Sequence, residues 1–96
     1  TDCELEWNNT SEQIHNQIRG LSPYPTAFTV LGDKTLKIFS ADIEPGKPEI
    51  PAGTFSTDHK SYLKFAATDG YLSLKEMQLE GKKKMGIEEF LRGIRL

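Results

Sequence analysis

Two long stretches of the sequence alternate between apolar and polar residues, and in each of them the alternation changes phase part-way along. The apolar positions on either side of the change are Leu36 and Ile38 then Phe39, Ala41 and Ile43 in the first stretch, and Leu72 and Leu74 then Met77 and Leu79 in the second. Side chains of a strand point alternately to its two faces, so a phase change within one strand indicates a β-bulge or a sharp bend. Two bent strands of about nine residues predict a sheet that curls into a small antiparallel barrel, as in oligonucleotide-binding folds.

Turn signals divide the rest of the sheet into shorter strands. Gly32-Asp33 is typical of a type II′ hairpin, and Asp69-Gly70 is a second hairpin signal. Three of the five prolines lie in residues 44–51, which we expect to form a loop between two halves of one sheet. Strands are also predicted at residues 27–31, 53–57 and 62–67, which brings the sheet to five or six strands.

A short helix is predicted at each end of the sheet. The first begins at Thr10, which can form a capping box with Gln13, and its apolar face holds Ile14 and Ile18. We expect Gly20 to end this helix in a left-handed conformation, because two prolines follow and cannot continue it. The second helix is predicted to begin at about residue 86.

The expected fold class is therefore mainly β, a small OB-like antiparallel barrel of five to six strands with a short helix at each end. A chain of 96 residues has room for one such domain. We place it at residues 10–96, because residues 1–9 show little periodicity and form an opening segment.

The residue types that carry most catalytic chemistry are sparse. Cys3 is the single cysteine, so an internal disulfide or a cysteine-rich zinc site is excluded and a reducing compartment is expected. His15 and His59 are far apart and lack the spacing of metal ligands. With no glycine-rich phosphate loop and no nucleophile–histidine arrangement, we expect no catalytic residue, cofactor or metal. No apolar run approaches the roughly 20 residues of a membrane span.

The strongest functional candidate is a basic turn, Lys82-Lys83-Lys84. The chain as a whole is slightly acidic, with 12 basic and 14 acidic residues and a net charge of −2, but residues 51–96 are net basic. Three ammonium groups on one exposed turn suit phosphate binding, which adds affinity without choosing a base sequence. A solubilising connector has the same pattern. Lys75 extends the patch if it shares a face of the barrel, as do Lys60 and Lys64.

Several segments resemble the C-terminal domain of methionyl-tRNA formyltransferases. They are IHNQIRGLSPYP at residues 14–25, KTLKIF at 34–39, LKEMQLEGKKKM at 74–85 and EFLRG at 89–93, preceded by DCELEW at 2–7. The resemblance covers essentially the whole chain in order. Thr26 departs from it where glycine is usual, and Gly86 stands where a Ser, Thr or Asp cap is common.

The resemblance implies a function that the composition alone does not. Members of this family transfer a formyl group from 10-formyltetrahydrofolate to the methionine of initiator tRNA, in the cytoplasm of bacterial-type cells. Their catalytic residues and folate site lie in an N-terminal domain, so residues 1–9 are expected to join this chain to that catalytic domain in cis. Residues 10–96 are then the OB-like tRNA-binding domain. The residues expected to contact tRNA are Lys82, Lys83, Lys84, Lys75 and Arg19.

A second hypothesis remains open. Related C-terminal domains belong to formyltransferases that act on sugar nucleotides and to formyltetrahydrofolate dehydrogenases. In that case the chain is a non-catalytic scaffold with little affinity for nucleic acid, and the net charge of −2 favours that alternative.

Overall fold

In the computed structural model, which describes residues 3–21 and 26–94, two helices accompany a six-stranded sheet. The elements are α1 (Ser11–Leu21), β1 (Ala27–Leu31), β2 (Lys34–Pro45), β3 (Phe55–Thr57), β4 (Leu63–Ala66), β5 (Gly70–Leu79), β6 (Met85–Gly86) and α2 (Ile87–Gly93). Every strand pair is antiparallel, the order is β1-β2-β5-β4-β3, and β6 also pairs with β5. The predicted mainly β fold class is confirmed, and the sheet forms a curled half-barrel.

The two longest strands, β2 and β5, pair along their length and supply the bends. The register of β2 shifts on both sides of Ser40. As a result, Ile38 and Ala41 both face the core, although residues three apart in a regular strand point to opposite faces. In β5 the buried hydrophobic side chains are Leu72, Leu74, Met77 and Leu79, with two exposed residues between the second and third. Both predicted phase changes are therefore confirmed, and they turn a pleated ribbon into a curled sheet with one buried face.

The opening segment packs into the half-barrel. Residues 3–5 run beside β1 and share two backbone hydrogen bonds of 2.9 Å with Phe28. Trp7 then contacts two strands: its indole N–H donates to Thr29 Oγ1 (3.0 Å), and its ring stacks on Phe65 with the centroids 4.9 Å apart. This side chain therefore links β1 to β4, two strands that are not neighbours in the sheet.

Helix α1 begins as its sequence predicts. The backbone N–H of Gln13 donates to Thr10 Oγ1 (3.2 Å), and the Thr10 N–H donates to Gln13 Oε1 (3.1 Å), which completes the capping box. Ile14 and Ile18 are fully buried against the sheet. The helix thus covers the core with one apolar stripe and leaves its other face to solvent.

The end of α1 corrects one prediction. Gly20 stays helical, and the helix continues to Leu21. Among the described residues that follow the helix, Thr26 has a left-handed backbone, with φ of 82°, and its N–H donates to the Leu21 carbonyl (3.0 Å). Glycine permits the left-handed conformation but does not impose it, so Gly20 was the wrong choice. The two prolines expected to stop this helix, Pro23 and Pro25, lie outside the described residues.

The first helical turn meets the β4–β5 hairpin. The N–H of Ser11 donates to Asp69 Oδ1 (2.8 Å), and the Ala67 N–H donates to the Gly70 carbonyl (2.7 Å). The predicted hairpin is present, but Gly70 opens β5 without a positive φ. Its lack of a side chain matters for another reason: a Cβ would lie 2.9 Å from the Glu44 carbonyl oxygen and 3.3 Å from Ser11 Oγ.

The remaining turns are close to expectation. Gly32 has φ of 66° and Asp33 has no positive φ, as a type II′ hairpin requires. β3 begins at Phe55, two residues later than predicted, because Gly53 has φ of 90° and turns beneath Trp7. Neither helix of the described residues has the length and apolarity to cross a membrane.

Candidate nucleic-acid interface

The basic turn lies between β5 and β6, and its backbone is fixed at several points. Gly81 turns the chain with φ of 84°, and the Lys82 N–H donates to the Leu79 carbonyl (2.8 Å). The Gln78 side chain donates from Nε2 to the Lys82 carbonyl (2.9 Å). Immediately after the turn, Met85 pairs with β5. The three lysine side chains therefore project from a defined backbone and are all exposed.

The three lysines have different surroundings. Lys83 Nζ lies 3.5 Å from a Glu89 carboxylate oxygen, in a solvent-exposed ion pair. Lys84 Nζ lies 4.5 Å from the centroid of the Phe39 ring, within the range of a cation–π contact. Lys82 forms no ion pair within the described residues and lines a groove of about 590 Å³. Two of the three positive charges are therefore not neutralised by a carboxylate.

The structure adds two lysines that the sequence analysis did not single out. Lys34 lines the same groove as Lys82. Lys37 and Gly81 line a smaller groove of about 280 Å³. Both lysines are exposed, and neither makes an ion pair in the described part of the chain. We call the four unpaired lysines the basic edge; they are Lys34, Lys37, Lys82 and Lys84.

The register of the two long strands explains this arrangement. Leu36 pairs with Leu79 and Lys37 with Gln78, so the start of β2 lies beside the end of β5, where the basic turn begins. Only a knowledge of how the two bent strands pair would have found these lysines, because no motif in the residues themselves marks them. Two carboxylates share the grooves. Asp33 is one, and Glu80 is the other, with its Oε1 accepting a hydrogen bond from the Thr35 N–H (3.0 Å).

Two other lysines of the predicted patch, Lys64 and Lys75, are paired with acids. Lys64 Nζ donates to Glu44 Oε2 (2.6 Å) and lies 4.5 Å from the Tyr71 ring centroid, and the hydrogen bond to Glu44 raises the pKa of Lys64. Lys75 Nζ lies 3.3 Å from Asp42 Oδ2, with side chains 52% and 67% exposed. A pair so open to solvent is weak, so Lys75 can exchange its carboxylate for another anion. Its tRNA contact remains a prediction.

Comparison with known proteins identifies the family. The sequence matches the family described as formyl transferase, C-terminal domain, over residues 1–95. The chain belongs to this family. The methionyl-tRNA formyltransferases of Parabacteroides distasonis and Staphylococcus epidermidis are 43% and 39% identical to it, and each alignment covers 97% of this chain and 30% of the relative. That of Chlorobium phaeovibrioides is 42% identical over 98% of this chain and 30% of its own length. The resemblance found in the sequence is confirmed, and the chain spans less than a third of these relatives.

In this formyl transferase C-terminal domain, Arg19 lies apart from the turn in the chain and in its contacts. It occupies the exposed side of the last turn of α1, a helix that packs on β1, β2 and β5. Among the described residues, no hydrogen bond or ion pair joins Arg19 to the basic edge. Its predicted role in tRNA binding stays a prediction.

The Asp58 carboxylate binds the domain's own backbone. The Ser61 hydroxyl donates to Asp58 Oδ2 (2.6 Å), and the N–H groups of Ser61, Lys60 and Tyr62 donate to Oδ1. These hydrogen bonds, with that of the Ser61 hydroxyl the largest cause, hold the pKa of Asp58 below its usual range. Lys60 is thereby part of a carboxylate-capped turn. The described residues hold no group of three or more His, Cys, Asp or Glu that could bind a metal ion.

Proposed function

We propose that this chain is the tRNA-binding and positioning domain of a methionyl-tRNA formyltransferase. The full-length protein would transfer a formyl group from 10-formyltetrahydrofolate to the amino group of methionyl-initiator tRNA, in the cytoplasm. The name shared by its relatives supports this proposal, and the observation that carries it is the basic edge. Catalytic groups and the folate co-substrate would belong to a preceding domain in cis.

The physical argument concerns where the positive charge is unopposed. The chain is net −2, so its overall field does not attract a polyanion. Lys34, Lys37, Lys82 and Lys84 nevertheless present four exposed ammonium groups, none of them in an ion pair within the described structure. Each ammonium that reaches a phosphate releases condensed counterions, which gives affinity without reading bases. Such contacts suit a domain that positions tRNA while another domain selects and modifies it.

The scaffold alternative also has an observation in its favour. Lys64 and Lys75 lie against Glu44 and Asp42, so the lysines toward the other end of β5 are paired with acids. On that hypothesis, the basic edge keeps the domain soluble and the chain supports its catalytic partner without touching RNA. The two hypotheses differ in the salt dependence of binding.

The test compares two double variants that remove the same charge. K82A/K84A removes two members of the basic edge, and K47A/K60A removes two exposed lysines elsewhere. We would titrate the chain with initiator tRNA over a range of salt concentrations. Our proposal predicts that K82A/K84A flattens the log–log slope by up to about 2, since each lost phosphate contact removes about 1.

The control variant and the folded state complete the design. K47A/K60A should leave the slope close to that of the wild type. K47A/K60A should change the free energy of unfolding by no more than about 0.5 kcal/mol, because exposed lysines without partners contribute little. K82A/K84A should cost at most about 1 kcal/mol, because it also removes the cation–π contact of Lys84 with Phe39. Equal slopes for both double variants, or no measurable binding by the wild type, would favour the scaffold hypothesis and contradict our proposal.

A further inference from the structure

Phe39 occupies an unusual place for a large aromatic residue. It is half-buried, and it does not belong to the hydrophobic core formed by the described residues. It directly precedes Ser40, where the register of β2 shifts, and the neighbouring inward residues are Ile38 and Ala41. Its ring contacts the Lys84 ammonium, which lies 4.5 Å from the ring centroid. The bulge therefore presents an aromatic ring to the basic turn rather than to the core.

We infer that Phe39 is a positioning residue, which holds the Lys84 ammonium ready for a phosphate of the RNA; this inference rests on the proposed function. The backbone on both sides of Lys84 is already fixed, at Lys82 by Leu79 and at Met85 by β5. What remains free is the flexible lysine side chain, whose ordering opposes binding. A ring beneath the ammonium restricts that freedom before the ligand arrives.

An aromatic ring restrains a lysine differently from a carboxylate. Lys83 lies beside Glu89 and Lys64 beside Glu44, so in both pairs a carboxylate opposes the positive charge. The ring offers only its quadrupole and no carboxylate, so Lys84 keeps its full charge and has N–H donors left for a phosphate. Lys84 is therefore the restrained lysine of the basic edge that retains an unopposed charge.

The size of the effect follows from a population argument. If the complex keeps the ammonium over the ring, the apparent dissociation constant rises as the fraction of molecules in that conformation falls. Losing the ring should weaken tRNA binding by about 2- to 5-fold, which corresponds to about 0.5–1 kcal/mol, the range of an exposed cation–π contact. The number of phosphate contacts stays the same, so the salt slope should not change.

A double-mutant cycle on the whole chain tests this inference with initiator tRNA as the probe. F39L keeps an apolar side chain and removes the quadrupole, whereas F39Y keeps the ring. F39L should weaken binding about 2- to 5-fold in the wild type and in the K82A background, because Lys84 is present in both. It should have no effect in the K84A background. F39Y should bind with wild-type affinity, because it keeps the ring. K84A alone should flatten the salt slope by about 1.

The outcomes separate this inference from the function on which it rests. The inference is overturned if F39L weakens binding equally in the K82A and K84A backgrounds, since Phe39 would then act through general stability. It is also overturned if F39L tightens binding, because the ring would then withdraw Lys84 from the RNA. In both cases K82A and K84A still flatten the salt slope and the proposed function stands. If neither lysine variant changes the slope, the proposed function fails first.

Discussion

Trp7 offers the most direct test of how the half-barrel is held together. Its side chain lies in the opening segment, where the sequence shows no periodicity, yet it contacts β1 through Thr29 and β4 through Phe65. Replacing it with alanine removes the link between these strands. Replacing it with phenylalanine keeps the stacked ring and removes the hydrogen bond.

The expected magnitudes follow from these contacts. A fully buried Trp→Ala change costs about 3–5 kcal/mol, and because Trp7 is half-buried we expect about 2–4 kcal/mol for W7A. W7F loses a part-buried hydrogen bond and one ring of the indole, for which we expect about 1–2 kcal/mol. T29V removes the same hydrogen bond from its other side. The double variant W7F/T29V should therefore be more stable than the sum of the single changes predicts.

Urea denaturation measures these changes. We would follow it by far-UV circular dichroism and not by fluorescence, because Trp7 is the only tryptophan and is absent from the Trp7 variants. The midpoint should fall while the slope with denaturant stays constant. If the free energy of unfolding of W7A were within about 0.5 kcal/mol of the wild-type value, the change would be as neutral as a surface substitution. The opening segment would then add nothing to stability, and our account of how Trp7 links β1 to β4 would be wrong.

Two further predictions concern stability. G70A should destabilise the domain by about 1–3 kcal/mol, because the new Cβ would lie 2.9 Å from the Glu44 carbonyl oxygen. The control G20A has open space around the new Cβ and should be neutral or stabilising. Thermal unfolding of both variants measures the difference, and a G70A variant as stable as the wild type would contradict the close approach. Asp58 has a pKa below its ordinary value of about 3.9, so its hydrogen bonds, above all that from Ser61, stabilise the fold above that pH and are lost as the pH falls. The difference in unfolding free energy between wild type and D58A should therefore shrink from about pH 6 to about pH 2, and a difference independent of pH would exclude this role.

The features that the sequence predicts correctly are local ones. The phase changes in β2 and β5 are visible because side-chain alternation has a period of two, so one extra residue inverts the pattern. The capping box of Thr10 and Gln13 depends on a spacing of three residues. The end of α1 is also local, but Gly20 was a permissive residue and not a determining one. The structure places the left-handed turn at Thr26, where related sequences were expected to have glycine.

The features that the sequence does not predict depend on which strands become neighbours. Lys34 and Lys37 join the basic turn because β2 and β5 pair in one particular register, and the residues themselves give no sign of it. The role of Phe39 is likewise not visible in the sequence, since its contact joins the bulge of β2 to Lys84 in the turn after β5. The lysine triplet was therefore visible in the sequence, whereas the full basic edge required the fold.

The contacts between the opening residues and the β4–β5 hairpin have a consequence for how the domain folds. The backbone of Asn9 accepts hydrogen bonds from Thr68, and Ser11 donates to Asp69, so each contact joins residues 58 or 59 positions apart. Closing so large a loop has a high entropic cost, which favours the hairpins first and this contact late. Contacts that form after the transition state govern the rate of unfolding and leave the rate of folding unchanged. The lifetime of the folded domain is therefore set where the residues around the start of α1 meet the β4–β5 hairpin.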